Sequence, residues 1–213
     1  MSISDLIASL SQETPKPRLK PPGYFAARLG AVLTVYGIGI QFFLELRTDL
    51  LAQFSRPMFT LEILLLVLLT VCSATAALLA MYPDVYQKPR LLNVPYAVFM
   101  ALVAFMLVQF LLPHDIRMVI PPLDGQAMEC AICIASVALL PSALIFALLR
   151  KGASVYPWRA GSFAMLAASG IGCLTLRLAE ANDSLLHLAV WHYLPTLFFA
   201  GLGAVIGRLV LRW

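Results

Sequence analysis

Charge is scarce in this chain. Only 12% of its 213 residues are Asp, Glu, Lys or Arg, whereas 61% are hydrophobic and the mean hydropathy is +0.88. Soluble domains carry about 25% charged residues, so a water-soluble fold of this size is excluded. Recognisable motifs of catalysis are missing too: there is no Gly-rich phosphate loop, no H-E-x-x-H and no G-x-S-x-G. Nor does a chain of Asp, Glu and His run through the middle of an apolar stretch, as a proton-coupled pump would show. These absences argue against an enzyme. Four cysteines (Cys72, Cys130, Cys133 and Cys173) are too few and too scattered for a disulfide framework. No small-residue cleavage site follows an apolar core of signal length, so the first apolar stretch is expected to remain as an anchor.

Six long apolar stretches occupy most of the chain, at about 24–46, 58–82, 91–113, 127–149, 158–179 and 187–211. Each is close to the roughly 20 residues that cross a bilayer core as a helix. The pattern predicts an all-α polytopic membrane protein. Residues 1–23 form a cytoplasmic segment of short helix plus proline-rich linker, and 24–213 a six-helix transmembrane domain. Basic residues set the orientation. Lys16, Arg18, Lys20, Lys88, Arg90, Arg150, Lys151, Arg159, Arg208 and Arg212 fall on one side, against Arg47, Arg56, Arg117 and Arg177 on the other. The richer side holds both termini and is expected to be cytoplasmic. The net charge of +4 is this bias summed, and no contact with nucleic acid is expected.

Ahead of the first span, Ile3, Leu6, Ile7 and Leu10 recur at i, i+3, i+4 and i+7, one apolar stripe. Ser2 and Asp5 make a capping pair. Pro15, Pro17, Pro21 and Pro22 then enforce an extended linker. So short a helix is unstable alone, but it can fold while docking into a partner's groove. The alternative is attachment to membrane lipid, against which the stripe carries Asp5 and neither Lys nor Arg.

Spans two, four and six run inward, which brings Glu62, Glu129, Cys130, Cys133, His187 and His192 into one outer layer, with His114 in the adjacent loop. Cys130 and Cys133 share a helical face. Thiolate and imidazole suit zinc or copper, and a dithiol can be oxidised. The metal-ligating candidates are Cys130 and His192, holding at most a transient ion and no resident cofactor. Other residues in the spans have structural readings. Glu62 either snorkels to water or faces the bundle as partner to an Arg or His. Gly203 and Gly207, with Ala200 a turn earlier, mark close helix packing. Trp191 is an interfacial anchor. Pro141 and Pro195 are expected to kink their spans.

In order along the chain, several short patterns resemble the NrsF-like membrane anti-sigma factors of proteobacteria. They are Asp5-Leu6-Ile7-x-x-Leu10, Pro17-Arg18-Leu19-x-Pro21-Pro22, Leu46-Arg47-Thr48-Asp49-Leu50 and Arg56-Pro57-x-Phe59-x-x-Glu62. Cys130 with Ser136, Arg150-Lys151-Gly152-Ala153 with Pro157, Trp191-His192 and Gly207-Arg208-x-x-Leu211-Arg212-Trp213 complete the set. The resemblance implies an inner-membrane protein that restrains an extracytoplasmic-function sigma factor. Partner-binding residues would be Ile3, Asp5, Leu6, Ile7 and Leu10. It further suggests release on an envelope stress signal, metal or oxidant, with Cys130 as the primary sensing thiol and Cys133 or Cys173 as its partner. Relatives often carry a second outer-layer cysteine near 178–180, which this chain lacks. Two other function classes stay open. One is a small transporter or channel. The other is a membrane subunit of a redox complex with His187 and His192 as cofactor ligands, although five-residue spacing does not put them on one face of an α-helix.

Overall fold

The structure, a computed structural model, describes residues 3–5, 19–87, 89–111 and 127–211. Helix α1 is Pro22–Leu44, α2 Leu50–Phe54, α3 Pro57–Leu79, α4 Pro89–Leu111, α5 Ala127–Leu149, α6 Pro157–Ala179 and α7 Leu185–Val210. A 3-10 turn, Pro83–Gln87, precedes α4. Among the described residues there are helices and no strands, and α1, α3, α4, α5, α6 and α7 are each long and apolar enough to span a membrane. This is an all-α, multi-pass membrane bundle. Its first five spans have 23 residues each, about 34 Å at 1.5 Å per residue, which matches a hydrocarbon core of about 30 Å. Four of the six begin at a proline (Pro22, Pro57, Pro89 and Pro157), where the missing N–H is not needed.

Helix α6 is the axle of the bundle. Within its most apolar stretch 78% of residues are buried, against 6% for α1 at the periphery. Its small residues explain why it can be surrounded. A Cβ added at Gly161 would lie 2.1 Å from the Gly203 carbonyl on α7, one at Gly170 2.6 Å from the Thr70 hydroxyl on α3, and one at Gly172 2.8 Å from the Ile134 carbonyl on α5. One helix thus presents glycine to three neighbours, and dispersion contacts between backbones replace the hydrophobic drive that lipid cannot supply. Gly203 and Gly207 make the reciprocal approach. Added Cβ atoms there would fall 2.4 Å from Gly161 O and 2.2 Å from Pro157 O.

Helix α1 begins and α7 finishes at the same end of the bundle, where Phe25 and Leu211 share one core, here termed the terminal end; the 44–57 and 179–185 connectors lie at the distal end. The terminal end is packed by Phe25, Leu29, Met81, Leu92, Leu149 and Phe163. There Ala153 N–H donates to Met81 O at 2.8 Å, and Gly152 lies so near Met81 that a Cβ would meet its Cβ at 2.4 Å. The distal core is Leu66, Leu69, Leu102, Ile134, Cys173 and Leu188. Polar groups crown it.

Candidate functional site

Two polar clusters sit side by side at the distal end. The first is an ion-pair clasp. Arg177, in the last turn of α6, reaches α3, where its Nε and Nη2 donate to Glu62 at 3.1 and 3.2 Å. Its Nη1 donates to Asp183 in the α6–α7 connector at 2.8 Å. Arg47, in the α1–α2 connector, donates to the same Asp183 at 2.9 and 3.0 Å and to Asp49 at 2.6 and 3.0 Å. Gln53 of α2 donates to Asp49 at 2.8 Å, and the Tyr193 hydroxyl of α7 donates to Glu62. Both guanidinium groups also face the ring of Phe59, at 5.6 and 4.8 Å from its centroid.

The chain is bent hard to deliver Arg47. Glu45 has φ 54° and ψ 141°, a conformation that costs a non-glycine residue about 1–3 kcal/mol. Arg47 N–H then donates to Leu178 O at 3.1 Å, tying this connector to the end of α6.

Electrostatics in the clasp run one way. Hydrogen bonds to Asp183 and then Asp49 hold Arg47 above its ordinary range. Hydrogen bonds from Arg47 and Gln53 hold Asp49 well below 3.8. Burial pushes Asp183 upward, but hydrogen bonds from Arg47 and Arg177 outweigh it and leave it below 3.8 as well. All three groups are therefore ionised at neutral pH.

The second cluster is a quartet of Cys130, Glu180, His187 and His192, whose donor atoms all lie within 4.8 Å of one another. Glu180, where α6 ends, is its centre. His187 Nε2 lies 3.0 Å from Glu180 Oε1, and His192 Nε2 3.1 Å from Oε2. The Cys130 thiol of α5 donates to Glu180 Oε2 at 3.5 Å, and its sulfur lies 3.6 Å from His187 Nε2. Burial pushes Glu180 upward, yet the hydrogen bond to His192 and the charge of the two imidazoles hold it below 4.5.

The convergence of His187 and His192 corrects the sequence expectation. On an α-helix five residues turn the chain about 500°, leaving the side chains about 140° apart. Here Leu188–Tyr193 is a π-helical turn, in which Leu194 N–H donates to Ala189 O five residues back. The extra residue returns His192 to the side of His187, and their ring centroids are 5.4 Å apart. Pro195, within the first turn after this segment, has no N–H to give to Trp191 O and disfavours a regular turn there. The His192 carbonyl instead accepts from the Thr196 hydroxyl at 2.9 Å and the Cys173 thiol at 3.3 Å.

A family model described as NrsF, negative regulator of sigma F, matches residues 10–213, nearly the whole chain. The chain belongs to the NrsF family. No curated protein and no solved structure matches it.

Two stretches that carried the resemblance to NrsF-like proteins now have physical roles. Arg47 and Asp49 of the first, and Phe59 and Glu62 of the second, belong to the clasp. Glu62 faces the bundle and is 3% exposed, which decides between the two readings of it. Cys130 and His192 meet in the quartet. Cys133 lies one turn deeper, half-buried, and packs against the distal core. Cys173 is fully buried, its sulfur 3.0 Å from the Thr196 hydroxyl. Trp191 is half-buried, and Glu129 is exposed. Ile3 and Asp5 are helical and exposed, whereas Leu6, Ile7, Leu10 and His114 lie outside the described residues. Sequence reasoning missed Glu180 and Asp183 as site residues, and Arg177 was counted only toward orientation. The available signal was that Arg177, Glu180 and Asp183 recur at i, i+3 and i+6 where a span ends. An arginine that close to lipid needs partners.

Proposed function

We propose that this NrsF-family chain is an anti-sigma factor of the bacterial inner membrane. It sequesters an extracytoplasmic-function sigma factor through its N-terminal segment and releases it when the distal end meets an envelope stress signal, a metal ion or an oxidant. The observation that carries this reading is the family match over residues 10–213. The bias of basic residues toward the terminal end supports cytoplasmic termini, where a sigma factor resides. Ile3, Asp5, Leu6, Ile7 and Leu10 are the partner-binding residues. Cys130 is the sensing thiol, reached from the distal end. Cys133, on its own helix face, is the nearer candidate partner, since the Cys173 thiol is engaged with Thr196 and the His192 carbonyl. The redox-subunit reading gains little from the meeting of the histidines, because the Glu180 carboxylate lies against both imidazoles where a planar cofactor would need room.

The test is Leu6→Asp or Ile7→Asp in the full chain. An unpaired charge in an apolar groove costs on the order of several kcal/mol. Each variant should insert normally, fail to co-purify the sigma factor and derepress its regulon. Undiminished co-purification would overturn the role of the N-terminal stripe. A phosphatase fused at the C-terminus that is active outside the cell would overturn the orientation.

A further inference from the structure

We propose that Cys130, Glu180, His187 and His192 form a four-ligand site for a divalent cation of the zinc class. Its role as the signal receiver rests on the functional reading above; the coordination itself stands on the geometry. In a tetrahedral zinc site, bonds of about 2.0–2.3 Å place neighbouring donor atoms about 3.3–3.8 Å apart. The close separations in the quartet are 3.0, 3.1, 3.5 and 3.6 Å. No donor pair exceeds 4.8 Å, so movements of about 1 Å complete the shell.

Charge and donor type select the cation. One thiolate, one carboxylate and two neutral imidazoles balance a divalent ion, so the occupied site is neutral, as a largely buried position requires. An all-oxygen set would favour magnesium or calcium and an all-sulfur set monovalent copper; this mixed set suits zinc and its borderline neighbours. As the metal–sulfur bond forms, the Cys130 thiol releases its proton to water, and protons held by the imidazoles leave likewise.

The fold supports the donors from behind. His187 and His192 reach one point only through the π-helical turn, a feature that recurs at functional sites. Thr196 and Cys173 hold the carbonyl of His192, and the Ser184 hydroxyl accepts from His187 N–H at 3.4 Å. The ligands come from α5, the end of α6 and α7, so a bound ion would cross-link three helices beside the clasp. Tyr193, next to His192, already bonds Glu62 in that clasp.

Cobalt(II) titration of the detergent-purified full chain tests the site. The expected result is a tetrahedral ligand-field spectrum with a thiolate-to-cobalt charge-transfer band, saturating at a single ion per chain and displaced by zinc. Cys130→Ser should lose the charge-transfer band while keeping its helical circular dichroism. Glu180→Gln and His192→Ala should weaken zinc binding by at least about tenfold, and Cys133→Ser should change neither readout. A cobalt spectrum without the thiolate band, or one unaltered by Cys130→Ser, overturns the site. A chain that holds the sigma factor but yields no such spectrum overturns the metal site alone. A chain that binds cobalt as described but no sigma factor supports the site and overturns the regulatory reading.

Discussion

The clasp and the quartet are neighbours joined by consecutive residues, His192 in one and Tyr193 in the other, yet their groups are satisfied to different degrees. In the clasp, both oxygens of Glu62 accept from Arg177, both of Asp183 accept from guanidinium groups, and both of Asp49 accept from Arg47. Opposite charges meet at hydrogen-bonding distance, and the arrangement is closed. In the quartet a single carboxylate serves two imidazoles and a thiol, and the thiol contacts are long, 3.5 and 3.6 Å. The quartet's four donor atoms, from a thiol, a carboxylate and two imidazoles, converge within 4.8 Å of one another. Saturated ion pairing fixes a structure, whereas surplus donor atoms of mixed softness invite a ligand. The difference supports reading the clasp as what holds α1, α3, α6 and α7 together and the quartet as the proposed ligand site.

The largest effect that would test this contrast is removal of the central arginine. Arg177→Met leaves Glu62 buried without its counter-charge, and breaking such a pair costs about 3–5 kcal/mol. Thermal unfolding in detergent should show a loss of that order, and the double variant Arg177→Met/Glu62→Leu should recover much of it. A single variant as stable as the parent would mean that the clasp holds nothing.

Acid should come next. Asp49 and Asp183 have folded values below their ordinary 3.8. Their stabilisation is therefore complete above that value and lost as pH falls through the depressed values. Glu180 behaves alike relative to 4.5. The distal connectors should keep amide-exchange protection from neutral pH down to about 4 and lose it only below. Loss of protection between pH 7 and 5 would contradict these directions.

The smallest stability effect belongs to the quartet. Cys130→Ser removes only long thiol contacts, so it should shift stability by less than about 1 kcal/mol. A loss as large as that of Arg177→Met would make the quartet a second clasp.

Much of this architecture is legible in composition and spacing, and its gaps have physical causes. Six spans follow from apolar length alone, and the partner face of Gly203 and Gly207 from their four-residue spacing. The central place of α6 was not read, although its many small residues were the signal for it, and the structure shows three of its glycines serving three neighbours. Cys130 and His192 emerge from simple depth. His187 was set apart from His192 because the reckoning assumed 3.6 residues per turn, and one π-helical turn invalidates it. Pro195, read as a kink, was the local sign that the turn was not regular. Glu180 and Asp183 escaped because connectors are normally solvated, while here the connector folds back onto the bundle.

Sigma-dependent transcription in cells carrying Cys130→Ser tests the central claim most directly, that the quartet receives the signal while other parts of the chain hold the partner. Parent cells challenged with a thiol-binding metal or an oxidant should induce the regulon. The Cys130→Ser cells should stay repressed under the same challenge and still co-purify the sigma factor. Full induction in those cells would contradict the claim.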